Sequence, residues 1–235
     1  MSAFRRERRS RERDDTTIVP DDVGDEPSDE PEDAAARGPW DAADQPDRGA
    51  RIDLGALWLP RRDGMELRME VDKKSSIVTA AAIHLHGSAL QLQVFGAPRT
   101  AGIWDEIRAE IAESITKQGG SVDDLPGPFG RELLARLPIR TAEGRTGHRP
   151  ARFIGHDGPR WFLRGVLSGR AAVETDRARE LEDVFAEVVV VRGSEPRVPR
   201  DLLPLTMPGS AQSQETTTAP SFDPLTRGPE ITEVH

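Results

Sequence analysis

The chain has 235 residues, of which 31% are charged, and its formal net charge is −9. It contains no Cys, which excludes a disulfide framework, a thiolate metal site and a cysteine nucleophile. No apolar run approaches the roughly 18 residues that span a bilayer, and the charged N-terminus does not resemble a signal peptide. We therefore expect a cytoplasmic protein without a membrane association.

The charge is distributed unevenly along the chain. Residues 1–13 carry six Arg against two Glu, whereas residues 14–47 carry thirteen acidic side chains against one Arg. Such a segment buries too little apolar surface to offset an ordering cost of about 1–2 kcal/mol per residue. We predict a disordered arm over residues 1–50 (basic over 1–13, acidic over 14–47) and a disordered tail over 206–235. Residues 51–205 then form a single globular domain.

The first half of this domain predicts strands followed by a helix. Apolar and polar residues alternate from Met65 to Val71, which is typical of an antiparallel strand with one exposed face. Further strands are predicted over 77–86 and 89–95, and an earlier short one over 52–59. Ile then recurs every fourth residue from Ile103 to Ile115, which indicates a helix that ends before two glycines.

The second half repeats that order. Residues 121–130, rich in Asp, Gly and Pro, are predicted as a loop, and strands follow over 133–139, 148–154 and 160–167. Leu181, Val184, Phe185 and Val188 mark an amphipathic helix, after which the residues to Val191 favour a closing strand. The fold class is therefore α+β, with an antiparallel sheet of about six to seven strands in two βββα-like halves and two main helices packed on it.

Common catalytic signatures are missing from the sequence. It has no Gly-Lys-Ser/Thr for a phosphate-binding loop, no G-x-G-x-x-G after a strand and no H-E-x-x-H. We therefore expect no cofactor, and we favour a protein that is not an enzyme. If there is an unrecognised active site, the loop over 121–130 is where we would expect it.

A metal site is a weaker hypothesis. His84 and His86 lie two residues apart on one predicted strand, so both imidazoles would share a face and converge on Zn²⁺ or a similar ion. A third ligand would come from His148, His156 or a carboxylate. The alternative is that both are half-exposed strand residues without a ligand.

Arginine is concentrated in one part of the domain. Residues 131–170 hold nine Arg and three acidic residues. A basic sheet face with an aromatic side chain can hold single-stranded nucleic acid or a phosphate-bearing ligand. The acidic arm either screens this face or only solvates the chain. The candidate ligand-binding residues are Arg140, Arg149, Arg152, Arg160, Phe162 and Arg164.

The end of the predicted tail differs from the Ser/Thr-rich spacer before it. Residues 222–234 combine apolar and charged positions, which suggests a short docking peptide for a protein partner. Its candidate contact residues are Phe222, Leu225, Arg227 and Ile231. A tail without a role is the alternative.

Several short motifs resemble one family, in an order that covers residues 38–235. They are Gly38-Pro39-Trp40-Asp41, the segment from Arg51 to Leu57, Leu90-Gln91-Leu92-Gln93, the segment from Gly102 to Arg108, Gly127-Pro128-Phe129-Gly130, the segment from Gly158 to Val166, and the segment from Leu225 to Ile231. Together they resemble an uncharacterised actinobacterial family, domain of unknown function 3710. The resemblance implies a bacterial cytoplasm but no activity. The element order also resembles the Mog1/PsbP-like sandwich of binding and assembly factors, which is an analogy of fold alone.

Three functions follow from these observations. The favoured one is a non-catalytic binding or adaptor protein with charged disordered arms and a protein partner. The second is nucleic-acid or phosphate-ligand binding through the Arg-rich face, and the third is an enzyme with an unrecognised site. A pocket in which titratable groups converge would favour the third, and an apolar pocket would count against it.

Overall fold

The structure, a computed structural model, describes residues 37–45, 47–99, 102–140 and 144–209. Residues 1–36 and 210–235, which hold most of the predicted arm and nearly all of the predicted tail, lie outside the described residues. The strands are β1 (Trp40–Asp41), β2 (Ile52–Asp53), β3 (Leu57–Leu59), β4 (Glu66–Val71), β5 (Val78–Leu85), β6 (Ser88–Gly96), β7 (Ser121–Gly127), β8 (Gly130–Arg140), β9 (Thr146–Gly158), β10 (Trp161–Ser168) and β11 (Val189–Val190). The helices are α1 (Trp104–Lys117) and α2 (Thr175–Ala186), the latter preceded by a 3₁₀ turn over Gly169–Ala172.

A seven-stranded antiparallel sheet forms the centre of the domain, in the order β4-β5-β6-β10-β9-β8-β7. β4 to β6 form one meander and β7 to β10 form a second. The two join where β6 pairs with β10, from Trp161 opposite Gly96 to Ser168 opposite Ala89. The α+β class is therefore confirmed, as is the number of strands in the main sheet. The second half has four strands before its helix instead of three.

The two faces of this sheet are covered by different elements. α2 packs on one face above the main core, which includes Leu92, Leu163 and Phe185. α1 packs on the other face against a smaller cluster that contains Trp104 and Phe162. Side chains alternate along each strand, so neighbouring residues on β10 serve the two different cores. Among the described residues, neither helix is long and apolar enough to cross a bilayer.

A second, smaller sheet extends the main core in the order β1-β11-β3-β2. Part of the predicted arm belongs to it, because Trp40 and Asp41 pair with the short strand after α2. The Trp161 indole N–H donates to Asp41 Oδ2 over 2.6 Å. Composition alone predicted disorder over 37–50. These residues find their partners in the body of the domain, and Trp161 is 120 positions from Asp41 in the sequence.

Two local predictions were wrong. Residues 52–59 form a tight hairpin instead of one strand, with Gly55 at φ +77° and its N–H bonded to Asp53 Oδ1 at 2.9 Å. Residues 121–127 form the strand β7 instead of a loop. Pro126 is tolerated there because β7 lies at the edge of the sheet, where one side of the strand needs no ladder hydrogen bonds.

The start of α1 is capped from a distant strand. Its N-cap residue, Ile103, has no side chain that can accept a hydrogen bond. Asp157 at the end of β9 supplies the acceptors instead: Oδ1 accepts from the Ile103 N–H at 2.8 Å and Oδ2 from the Trp104 N–H at 3.1 Å. A Cβ at Gly102 would lie 2.4 Å from Asp157 Oδ2, so this approach requires glycine. The cap therefore ties α1 to β9.

Candidate ligand-binding cleft

A cleft of about 570 Å³ opens between the end of β7, the strands β8 and β9, and the start of α2. We call it the α2 cleft. It is lined by Pro126 to Pro128 on one side and by Val173 and Thr175 on the other. Part of the segment in which an unrecognised active site was expected thus forms one wall of the cleft.

Three buried charged side chains, Glu132, Arg152 and Glu182, line the cleft. Arg152 Nη1 donates to Glu132 Oε1 at 3.2 Å, and Arg152 Nη2 donates to Glu182 Oε1. None of the three side chains is more than 10% exposed. We call this group the buried ion triad. Two carboxylates share one guanidinium, so its net charge is −1 when both acids are ionised.

The sequence positions these groups through simple alternation. Arg152 on β9 lies opposite Leu134 on β8, so Glu132 and Arg152 point to the face that α2 covers. On α2, Glu182 follows Leu181 and lies one turn before Phe185, so it belongs to the apolar stripe of the helix. The packing of α2 on the sheet therefore brings the third charge onto the first two.

Burial alters the protonation of the triad. Desolvation raises the pKa of Glu132 from 4.5 to about 7, and the negative charge of Glu182 adds to this, while the positive charge of Arg152 opposes it. Glu132 is therefore close to half protonated at neutral pH, so a ligand that favours one protonation state can change its charge. A titratable group shifted in this way inside a cleft is a feature of functional sites, although structural ion pairs also produce it.

Two polar atoms of the triad lack a partner in the described part of the chain. They are Glu132 Oε2 and Arg152 Nε, both buried and without a hydrogen bond. Leaving a buried polar atom unpaired costs about 1–3 kcal/mol, so most native structures avoid it. A Cβ at Gly127 would lie 2.2 Å from Glu132 Oε2, so only glycine lets this oxygen lie against the wall of the cleft.

The rim of the cleft carries opposite charges. Arg37 Nη2 and Asp183 Oδ1 form an ion pair at 3.0 Å, and both side chains are about half exposed. Arg179 lies beside them on α2. The first described residue of the chain thus contacts the cleft, and the rim offers groups that can exchange their partners with a bound molecule.

The structure does not bring the six predicted ligand-binding residues together on one face. Arg152 belongs to the buried ion triad on the α2 side. Phe162 is fully buried on the α1 side, where it stacks on Trp104 with ring centroids 5.6 Å apart. Arg164, also on the α1 side, bonds to Gln93 and lies over the Phe95 ring at 5.5 Å.

The other three predicted Arg lie at the ends of strands. Arg140 and Arg149 are exposed near the β8–β9 connection, whereas Arg160 is half-buried in the β9–β10 turn at the other end of β9. α1 covers part of the face that was predicted to be an open basic surface. The number of Arg residues in the sequence does not show that a helix packs there.

The two predicted metal ligands point to different places. β5 ends at Leu85, and His86 lies in the following turn with φ +49°, so the strand alternation does not reach it. Its Nε2 lies 3.3 Å from Glu180 Oε2 on α2, whereas His84 pairs within the sheet opposite Glu66. Within the described ranges, no group of three His, Asp or Glu residues could hold a metal ion. The predicted docking residues, Phe222 to Ile231, lie outside the described residues.

The buried ion triad was not predicted from the sequence. Arg152 was assigned to an exposed basic face, and Glu132 was not singled out. One signal was available: Glu182 falls on the apolar stripe between Leu181 and Phe185, where a charge has to find a buried partner. The identity of that partner depends on how α2 packs, which the sequence pattern does not give.

Comparison with known proteins agrees with the extent of the described fold. No curated protein and no solved structure matches the chain. A family model described as "Protein of unknown function (DUF3710)" matches residues 38–214, which include both sheets, both helices and every residue of the α2 cleft except Arg37. The match begins one residue after Arg37, the first described residue, and covers well over half of the chain, so the chain belongs to the DUF3710 family.

Proposed function

We propose that this protein is a binding protein and that its ligand occupies the α2 cleft. The proposal is carried by two polar atoms, Glu132 Oε2 and Arg152 Nε, which have no partner among residues 37–45, 47–99, 102–140 and 144–209. Both belong to residues that line a cleft of about 570 Å³. That volume lies in the range of small-molecule sites, about 300–1,000 Å³. The cleft combines polar and apolar walls, which also suits a small polar molecule.

The triad indicates the chemistry of the ligand. Glu132 Oε2 needs a hydrogen-bond donor when ionised, and Arg152 Nε needs an acceptor. Because two carboxylates share one guanidinium, the donor that gains most is a cationic nitrogen. We therefore propose a small molecule that carries a cationic N–H group beside a hydrogen-bond acceptor. Its binding would favour the ionised form of Glu132.

This chemistry predicts a pH dependence with a defined sign. Free Glu132 has a pKa of about 7, and a bound cation lowers it, so binding releases a proton as pH falls below about 7. Affinity should therefore rise between pH 6 and pH 8. Isothermal titration calorimetry in two buffers of different ionisation enthalpy measures the released proton directly.

The experiment uses L-ornithine as the probe and betaine as its control, because betaine has a cationic nitrogen without an N–H donor. Val173, 57% exposed at the mouth, is replaced in Val173→Trp to fill the cleft without touching the triad. Val71→Trp, at a 47% exposed position on β4, is the matched control. Ornithine should bind the native protein and Val71→Trp but not Val173→Trp. Equal binding to both variants, or no binding of ornithine at pH 8, contradicts the proposal.

An enzyme is the second candidate, favoured by the pKa of about 7 that burial gives Glu132. A carboxyl with a pKa near the working pH can donate and accept a proton within one reaction cycle. NMR spectra of a bound probe, recorded over hours with stoichiometric protein, separate the two functions. An unchanged spectrum supports binding alone, and new resonances that disappear in Glu132→Gln support catalysis.

Several expectations from the sequence remain part of this proposal. Recruitment of a protein partner by the charged arms, an actinobacterial source and a cytoplasmic location all rest on composition and resemblance. The Mog1/PsbP-like analogy rests on element order. A pull-down from native lysate, with the full chain and with residues 1–36 and 210–235 removed, tests the role of the arms.

A further inference from the structure

Four arginines lie at the end of the sheet opposite the β8–β9 connection, near enough for the charges of three to act on the fourth, Arg192. They come from the segment after β6, from the β9–β10 turn and from the segment after β11, which lies against Gly96 at the end of β6. This arginine cluster consists of Arg99, Arg160, Arg192 and Arg197. It shares no residue with the α2 cleft, and only Arg160 belongs to the predicted ligand-binding set.

Hydrogen bonds to backbone carbonyls fix the three segments against one another. The carbonyl oxygen of Arg160 accepts two of them, from the Ala97 N–H at 2.9 Å and from Arg192 Nε at 3.2 Å. Arg200 N–H donates to the Gly96 carbonyl at 2.8 Å and holds the last segment on the end of β6. The cluster is therefore part of a defined surface instead of a chance grouping of long side chains.

The positive charge of this surface is poorly compensated. Arg192 Nη1 donates to the carbonyls of Gly193 and Glu195, at 3.0 and 2.8 Å, so its guanidinium is held by dipoles and not by a carboxylate. In the part of the chain that the structure describes, the only ion pair of the cluster joins Arg197 to Glu195 at 3.4 Å. Burial lowers the pKa of Arg192, and the charges of Arg160, Arg197 and Arg99 lower it further.

The backbone of Arg160 adds an independent observation. Its φ is +64°, in the left-handed region that favours glycine. Glycine at this turn position would avoid the strain, so the sequence accepts a cost and keeps a guanidinium there. A strained residue that also carries a charge without an ion pair points to a use of its side chain.

We propose that the arginine cluster binds a phosphate group, carried by a small phosphorylated molecule or by a nucleic-acid backbone. Guanidinium groups form paired hydrogen bonds with phosphate oxygens, and the charge of a phosphate can offset more than one Arg. Arg192 is already oriented by carbonyls, so less side-chain freedom is lost on binding than at a mobile surface Arg. The site is a second binding function, separate from the ligand proposed for the α2 cleft.

The test compares two identical substitutions at left-handed arginines. Arg160→Gly removes a cluster guanidinium and relieves the strained backbone, so the variant should remain folded. Arg200→Gly is the matched control, because Arg200 has φ +71° but pairs with Glu106 and Glu110 of α1 at 2.6 and 2.8 Å. Calorimetric titration at 50 mM salt uses sodium pyrophosphate, a single-stranded oligo-dT and a poly-Glu peptide as probes.

We expect saturable binding that falls at least tenfold in Arg160→Gly and less than threefold in Arg200→Gly. Pyrophosphate binding without tighter oligonucleotide binding identifies a small phosphorylated ligand. Tighter oligonucleotide binding with a log–log salt slope of about −0.7 per neutralised phosphate identifies a nucleic-acid backbone. Three results overturn the proposal: no saturable binding of either phosphate probe, an equal loss in both variants, or tighter binding of poly-Glu than of pyrophosphate and the oligonucleotide.

Discussion

The two helices pack on opposite faces of one sheet, and the polar groups buried at the start of α1 differ in their pairing from those buried beneath α2. At the start of α1, the Trp104 indole N–H donates to the Arg131 carbonyl at 2.7 Å, and Asp157 accepts from two backbone N–H groups. Beneath α2, the buried ion triad leaves Glu132 Oε2 and Arg152 Nε without a partner among the described residues, and elsewhere on the α1 face Arg164 Nε is unpaired in the same sense. Buried polar groups that have hydrogen-bond partners stabilise a fold. Buried polar groups without partners cost stability and are retained where a site is needed.

The aromatic packing under α1 should give one of the two largest effects. Trp104 is 5% exposed and stacks on Phe162, so Trp104→Ala leaves a cavity as well as an unpaired carbonyl. Such truncations cost about 3–5 kcal/mol of the free energy of unfolding. Urea denaturation measures it, and ligand binding in the α2 cleft should be unchanged under native conditions. A loss below about 1 kcal/mol would show that α1 does not stabilise the sheet.

Removing the central charge of the triad should have a comparable effect that depends on pH. Arg152→Met leaves Glu132 and Glu182 buried without a cation, and breaking a buried ion pair in this way costs about 3–5 kcal/mol at pH 8. At pH 5 the loss should be smaller, because Glu132, whose pKa burial raises to about 7, is then protonated.

The control for this prediction replaces the whole triad. Glu132→Leu, Arg152→Met and Glu182→Leu combined remove every buried charge and should cost far less than Arg152→Met alone, or even stabilise the fold. Urea midpoints at pH 5 and pH 8 provide the comparison. If the triple variant is less stable than Arg152→Met, the triad stabilises the fold. It would then resemble the hydrogen-bonded groups at the start of α1 in its effect on stability.

The native protein itself should lose stability as pH rises. The folded pKa of Glu132, about 7, exceeds its unfolded value of 4.5, so between these values the folded chain holds a proton that the unfolded chain has released. The contribution of Glu132 to the free energy of unfolding is therefore largest at low pH. It falls through pH 7, by roughly 2–3 kcal/mol between pH 5 and pH 8.

Glu132→Gln separates this contribution from those of other titrating groups. Glutamine has the shape of the protonated acid and does not ionise, so the difference in unfolding free energy between variant and native protein should increase with pH over that interval. Denaturation curves at half-unit steps supply the measurement. A difference that stays constant with pH would place the Glu132 pKa near its ordinary value.

Local pattern was sufficient for most of the sheet and both helices. Period-two alternation located β4 to β6, and the Ile repeat located α1, because both patterns depend only on which face is buried. Local pattern failed at β7, because Asp, Gly and Pro normally indicate a loop. They are compatible with a strand there only because β7 lies at the edge of the sheet. It also failed at Trp40 and Asp41, whose partners are Val189 and Val190.

The candidate site was harder to predict for the same physical reason. Glu132, Arg152 and Glu182 come from three elements, and each is an ordinary surface residue type when considered alone. Their meeting depends on the packing of α2 on the sheet, a tertiary event with no signature in local periodicity. The family resemblance, whose first motif begins at Gly38, agrees with the start of the family match but supplies no roles for these residues.

The smallest predicted effect concerns the remote cap of α1. Asp157→Ala removes the acceptors of the Ile103 and Trp104 N–H groups, and loss of an N-cap acceptor costs about 1–2 kcal/mol. Asp105→Ala is the matched control, since Asp105 lies in the first turn of the same helix with a side chain that is 86% exposed; it should cost less than about 0.5 kcal/mol. Urea midpoints compare the two variants, and amide hydrogen exchange at residues 103 and 104 should accelerate only in Asp157→Ala. Equal losses in both variants would mean that Asp157 acts through its charge. The cap would then not be the hydrogen-bonded link between α1 and β9 that distinguishes the start of α1 from the unpaired triad beneath α2.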